Sequence, residues 1–444
     1  MEKLAKGYTE TTAPGAAAAP SRARHALQAP LEAALVENPD EVTAHAAYAD
    51  YLVEEGDPRG AFMQTQLALE EAGRVPAERK QLQKREQELL AAHAREWLGD
   101  LGRFLVGDWS GEDKPYHYAF RRGWLDYLRV LPAPLALLGA IARAPEVRLL
   151  RRLEVVYDMR YHPFNFDEWV KGPAKGLTAD EGEIDFDSFY ISDHPADLRP
   201  FIASRYLTNL RALKFGFSDD PSNLCHSTMV SPFETLTAQQ VLDLLTKCPR
   251  LEELYLNNGL AEAHRLFASP MLSQVRVLQY YYGTDGSRFD RNPPRPITYE
   301  LAGLANNPAI ANVNTLRFHP GRHSVLLLPQ VDALLQSPHL PKLAHLQLHM
   351  TTFGDDICPR LIASGILKRL KTLDLGYGNM TDAGAQQLAA CADTKQLQVL
   401  DLSRNALTPA GVAALRSAGV RVVADAQHAA NEDYPEYLYG VDVE

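Results

Sequence analysis

Histidine is the residue type in this chain whose spacing comes closest to a reactive cluster. His319 and His323 stand four apart, a separation that sets two imidazoles on one helical face for a metal ion, but Pro320-Gly321 between them breaks any helix. His345 and His349 lie in a stretch of alternating apolar and polar residues, so on a strand they share one face. His319 falls on the strand before them. Three imidazoles on neighbouring strands have the donor chemistry for a metal, yet no carboxylate or cysteine completes the set, and polar residues on an exposed sheet are the expectation. The run Glu181-Gly-Glu183-Ile-Asp185-Phe-Asp187 offers carboxylates to a hard cation such as calcium. Its spacing lacks the EF-hand form, and a solvated edge strand or loop is expected there. The chain contains no P-loop, strand-coupled G-x-G-x-x-G, G-x-S-x-G or H-E-x-x-H. The expectation is therefore a protein that is not an enzyme and has neither a catalytic residue, a metal nor a cofactor.

The elements that position these residues follow from an internal repeat. Leu397-Gln-Val-Leu400-Asp-Leu402-Ser-Arg-Asn405-Ala-Leu407 fits L-x-x-L-x-L-x-x-N-x-L at each fixed position. Related strands begin at Leu251, Val275, Val313, Leu343 and Leu370, with weaker copies at Leu210 and Leu150. Marked by the second apolar residue of each, they fall at 153, 213, 254, 278, 316, 346, 373 and 400, with steps of 60, 41, 24, 38, 30, 27 and 27. The last two steps have the length of leucine-rich repeats; the longer ones imply insertions, placed at 158–206 and 282–312. Thr381-Asp-Ala-Gly-Ala-Gln-Gln-Leu388 and Thr408-Pro-Ala-Gly-Val-Ala-Ala-Leu415 then resemble the helix of the ribonuclease-inhibitor-like class of these repeats. The expected fold is α/β, an irregular leucine-rich-repeat solenoid over 131–428. Asn405 is expected to bond to backbone groups at the bend. Gly259, Gly283, Gly321, Thr351 and Gly378 replace that Asn in other copies and leave its ladder incomplete.

Ahead of the repeats lies a small all-α domain. Residues 1–24 read as a flexible tail that cannot bury enough apolar surface to order itself. Leu27, Leu31, Ala34 and Leu35 predict a first helix, stopped by Asn38-Pro39-Asp40. Val42 to Glu55 predict a second, ended by Gly56; Asp57-Pro58 cap and open a third, and a charged fourth covers Ala77 to about Leu98. The residues Asn38-Pro39-Asp40, Tyr48-Ala-Asp-Tyr51-Leu-Val53-Glu-Glu-Gly-Asp-Pro-Arg-Gly60, Gln64-Thr-Gln66, Trp97-Leu-Gly99 and Phe120-Arg-Arg-Gly-Trp124 resemble the repeat-companion domain. That domain accompanies leucine-rich repeats in bacterial proteins of the myxobacterial and planctomycete type. Tyr51 stands where the family usually has Trp, and Val53 where it usually has Glu. The resemblance covers about 25–130, including a trailing strand, and implies no catalytic role.

Charge and composition narrow the function. The formal net charge of -11 argues against sequence-independent nucleic-acid binding. Residues 158–194 hold nine acids against three bases and 431–444 five against none, so these two segments carry the whole excess. The segment 429–444, with Tyr434, Tyr437 and Tyr439, is expected to be an acidic tail or a cap on the last repeat. Cys225, Cys248, Cys358 and Cys391 match no zinc spacing and read as free thiols. With no signal peptide or membrane span in the sequence, the expected location is the cytoplasm and no membrane contact is expected. The repeat phase projects pattern positions three, five and seven onto the concave face: Glu253, Tyr255, Asn257, Gln279, Tyr281, Arg317, His319, His345, Gln347 and His349. Tyr, Arg and His suit binding hot spots. The reading is an adaptor that binds a protein or peptide partner on that face. The alternatives are a substrate-recognition or regulatory subunit of a multi-protein enzyme or defence complex, and a metal-dependent enzyme with an unrecognised site.

Overall fold

The computed structural model describes residues 22–107, 116–131, 135–157, 198–217, 219, 236–281, 297–320, 324–349 and 351–429. Residues 1–21 of the expected tail, the acidic run Glu181–Asp187, most of the first expected insertion and all but Ala429 of the expected segment 429–444 lie outside them, while the last three residues of that tail, 22–24, already belong to the first helix. The chain divides into two compact units, Met1–Leu89 and Leu90–Glu444.

In the first unit α1 spans Arg22–Glu37, α2 Val42–Glu54 and α3 Pro58–Glu70, and α4, Pro76–Trp97, continues into the second unit. Each boundary has a local cause. Asp57 accepts a hydrogen bond from the Arg59 N–H at 2.8 Å and Pro58 opens α3, while Gly56 takes φ +77° after α2. Leu35, Tyr48, Ala49, Leu52, Phe62 and Met63 are buried between the helices. A Cβ on Gly60 would lie 2.6 Å from the Val53 nitrogen and 2.8 Å from the Ala49 oxygen, so this glycine lets α2 and α3 cross backbone to backbone.

Among the described residues the second unit is built on one eleven-stranded sheet. Its strands are β1 Tyr116–Arg121, β2 Trp124–Val130, β3 Arg152–Tyr157, β4 Ala212–Phe217, β5 Glu253–Asn257, β6 Val277–Tyr281, β7 Thr315–His319, β8 His345–Leu348, β9 Thr372–Asp374, β10 Val399–Asp401 and β11 Val422–Val423. They lie side by side in chain order. All neighbours are parallel except the β1–β2 hairpin at one edge. One register column runs Leu128, Leu153, Leu213, Leu254, Leu278, Leu316, Leu346, Leu373, Leu400 and Val422, so the eight repeat marks coincide. Every leucine in that column is at most 1% exposed. Stacking identical apolar positions on successive repeats is what a one-dimensional core requires.

Helices return each strand to the next and stack in order against their neighbours, from Leu135–Arg143 to Pro409–Ser417. Two boundaries differ from the sequence expectation. The strand expected to trail the helical domain is β2, which pairs with β3 and belongs to the repeat sheet, so the division falls at 89/90 and not at 130. Within the expected insertion at 282–312, residues 297–312 hold ordinary repeat parts: strand Ile297–Thr298, helix Leu301–Ala305 and the turn Pro308–Asn312. The long step there reflects two extra strand residues that pair with Ser324–Val325, as well as the chain at 282–296.

Asn405 behaves as its position predicts. It donates to the Leu375 and Leu402 carbonyls at 2.9 and 3.1 Å and accepts from the Met380 N–H at 2.9 Å, which ties two repeats together. A Cβ on Gly378 would meet Asn405 Oδ1 at 2.6 Å. The missing Asn at 378 thus leaves room for the one at 405.

Candidate functional site

Strand registry places the polar positions in rows across the sheet. The first row runs Tyr127, Arg152, Ala212, Glu253, Val277, Thr315, His345, Thr372 and Val399. The second runs Arg129, Glu154, Lys214, Tyr255, Gln279, Arg317, Gln347, Asp374 and Asp401. Asn257, Tyr281 and His319 belong to the third, with Tyr281 paired to His319. Neighbouring strands are about 4.8 Å apart, close enough for side chains in a row to bond directly.

At the N-terminal end of the sheet Arg152 donates to Glu154 at 2.7 Å and to Glu253 at 3.0 Å, and its guanidinium lies 5.5 Å from the centre of the Tyr255 ring. The Tyr255 hydroxyl donates to Glu253 at 2.9 Å. Arg129 adds a second cation 3.7 Å from Glu154. Glu253 and Tyr255 are half-buried, and their charge and hydroxyl are engaged.

In the middle of the sheet three side chains gather on Asp219. Its carboxylate accepts from Lys214 at 2.5 Å, Asn257 at 2.7 Å and Gln279 at 2.8 Å, and Gln279 donates also to the Asn257 oxygen at 2.8 Å. Burial opposes the charge on Asp219, but Lys214 and the three hydrogen bonds hold its carboxyl below the ordinary range.

Toward the C-terminal end the two ring nitrogens of His349 are shared. Nε2 lies 2.9 Å from Asp374 Oδ1, and Nδ1 lies 2.9 Å from His319 Nδ1. Tyr377, held at φ +55°, sets its ring against both imidazoles, with centroids at 5.3 and 5.0 Å. Tyr281 stands on the other side of His319 at 5.4 Å. Burial, and then the charge of His349, keep His319 well below the usual imidazole range. Asp374 is depressed too: burial opposes its charge, but His349 and the Gly376 N–H outweigh that. Burial pushes the Tyr281 hydroxyl upward.

Four of the ten residues expected on an open face are in fact buried: Asn257, Gln279, His319 and Tyr281. The amides of Asn257 and Gln279 satisfy each other and Asp219, and the imidazole and phenol stack with their neighbours. Groups that close on one another across strands exclude water instead of meeting it. Glu253, Tyr255, Arg317, His345, Gln347 and His349 remain half-buried. Of the three imidazoles, His319 and His349 meet, while His345 pairs with the Thr372 hydroxyl at 2.8 Å. Among the described residues no group of three or more His, Cys, Asp or Glu side chains is arranged to hold a metal ion.

Asp374 does complete a polar set with the two histidines, contrary to the expectation that no carboxylate would. It occupies position five of its repeat, one strand beyond Gln347, and that offset was the available signal. Arg152, Glu154 and Lys214 lie on strands that carry the weakest copies of the motif, so the repeat phase does not single them out. Asp219 lies beyond the end of β4, where strand phase says nothing. Cys248 and Cys358 are buried free thiols, and burial pushes both up to about 12. No helix among the described residues is long and apolar enough to cross a membrane.

A leucine-rich-repeat family model matches residues 369–389 and 396–415, the units that carry β9 and β10. These stretches are leucine-rich repeats, and the parallel sheet with its returning helices is a fold of the leucine-rich-repeat α/β type. A structural-genomics crystal structure of a protein from Bacteroides fragilis is similar over 80% of this chain and 85% of its own, at 15% identity and a TM-score of 0.42. No curated protein matches the chain.

Proposed function

We propose that this protein is a non-catalytic interaction module that holds a protein or peptide on the polar face of its repeat sheet. One observation carries the reading: half-buried Glu253, Tyr255, Arg317, His345 and Gln347 stand in two registered rows over four adjacent strands. Aromatic and guanidinium groups on a rigid scaffold lose little freedom on binding and are the side chains that dominate interfaces. Leucine-rich repeats generally mediate protein–protein interaction, and solenoids present their extended faces for that purpose. The likeness of the helical unit to the repeat-companion domain of bacterial proteins belongs with this reading, because that domain brings no chemistry of its own. The role is that of an adaptor in the cytoplasm, with no cofactor.

The test is capture from a host lysate with full-length protein as bait, beside a Tyr255→Ala/His345→Ala variant. Both side chains are half-buried, so neither change empties the core. A partner retained by the native bait and lost with the variant supports the reading. A partner retained equally by both moves the binding surface elsewhere.

A further inference from the structure

Charge on this face is balanced almost completely within the protein. Glu154 and Glu253 are paired by Arg152, with Arg129 beside the former. Lys214 is paired by Asp219, and Asp374 by His349. Among the described residues of the two registered rows, Arg317 and Asp401 are then in no ion pair, although the charge of Arg317 also acts at longer range on Asp374. Arg317 and Asp401 stand three strands apart, roughly 14 Å at the usual strand spacing, too far to satisfy each other.

Arg317 is half-buried at the centre of the sheet, and its one hydrogen bond among the described residues is a long one, 3.4 Å to the Gln279 oxygen. A guanidinium has five N–H donors in a planar fork that matches a carboxylate bidentately. A guanidinium held half-buried on a rigid strand is already partly desolvated, so a carboxylate that reaches its remaining donors gains a charge-assisted, two-pronged contact. The surroundings favour one negative charge over two. Lys371 just before β9 adds positive potential, whereas the carboxylates of Asp374 and Glu253 in the same rows disfavour a dianion.

We propose, resting on the reading above, that Arg317 is the anchor for a single Asp or Glu side chain of an extended peptide segment laid across β5 to β8. A side chain is preferred to a chain terminus because the position is mid-sheet, where a segment passing over the strands presents side chains. Tyr255 lies on the same row two strands from this anchor, with Gln279 between them, and supplies an aromatic contact where the segment reaches β5.

The experiment selects random twelve-residue peptides, displayed with blocked C-termini, on the full-length protein. The selected sequence is then synthesised for titration. The expected result is a peptide with one fixed Asp or Glu. Changing that residue to its amide, or Arg317→Gln in the protein, weakens binding on the order of 30-fold, and the two changes together cost little more than either alone. Arg317→Lys keeps the charge without the fork and falls in between. Peptides without a fixed acid, or with affinity indifferent to Arg317→Gln, overturn the carboxylate anchor. If those peptides are still lost on Tyr255→Ala/His345→Ala, the interaction face itself stands. No enrichment over an unrelated bait overturns both.

Discussion

Burial and the neighbouring charge of His349 hold His319 below the ordinary imidazole range, which ties stability to pH in a definite direction. Below the unfolded value of about 6.5 the unfolded chain takes up a proton that the folded chain resists. Stability is therefore expected to fall as pH drops from about 6.5, by at most about 1.4 kcal/mol per pH unit for this one group. Thermal unfolding of the native protein and of His319→Phe between pH 7.5 and 5 measures it. The variant should show a shallower acid-side decline, and equal slopes would sink the assignment. Asp219 and Asp374 act lower down: both are depressed, so their contribution persists above the usual carboxylate range and fades only as pH falls through their folded values. The alternation that puts His319, His349 and Asp374 on one face was legible in the sequence. Their mutual contact was not, because position seven of one repeat meets position five of the next only once the register and the turn at Tyr377 are known.

Between elements, a second device joins successive repeats on the helical side. Asp355 accepts from both the N–H and the hydroxyl of Thr381, at 2.8 and 2.6 Å. Asp382 does the same for Thr408 one repeat later, at 2.9 and 2.5 Å. Each Thr in turn caps its own helix. A glycine makes room for each carboxylate: a Cβ on Gly384 would collide with Asp355, and one on Gly411 with Asp382. Gly411→Ala should therefore cost about 1–3 kcal/mol through overpacking, and Asp382→Ala about 1–2 kcal/mol through the lost bonds to the cap. Since both changes act on one contact, the double variant should lose clearly less than their sum in urea unfolding. Strict additivity would show that the two residues do not interact. Thr-x-x-Gly could be read from the sequence as a helix start, while the Asp of the preceding repeat could not, since it lies 26 residues away from the Thr it caps. The strand positions were the most legible feature of all, even where the steps between them were irregular, because a leucine column at fixed register is the only way such short strands can share a core. The hairpin β1–β2 reads in the sequence as part of the helical domain for the converse reason: its antiparallel pairing hides its kinship with the repeats.

At the scale of the whole sheet, contacts run between neighbours in chain order, so a local defect should stay local. Leu400 makes this measurable. It is fully buried, sits in the apolar column between Leu373 and Val422, and lies one strand from the C-terminal edge. Leu400→Ala removes apolar surface at a cost of about 2–5 kcal/mol. In a core that unfolds as one body this would lower protection against hydrogen exchange everywhere. In a nearest-neighbour array the loss concentrates where the coupling is: amides of β9, β10 and β11 and of the helices Asp382–Ala390 and Pro409–Ser417 should exchange faster, with β3 to β6 unchanged. The same substitution at Leu278, in mid-sheet, has intact repeats on both sides and should raise exchange over strands in both directions. Hydrogen exchange read by mass spectrometry on the two variants decides the matter. A uniform rise in exchange from Leu400→Ala would mean that the long steps between repeats do not interrupt cooperativity, and that the eleven strands unfold as one.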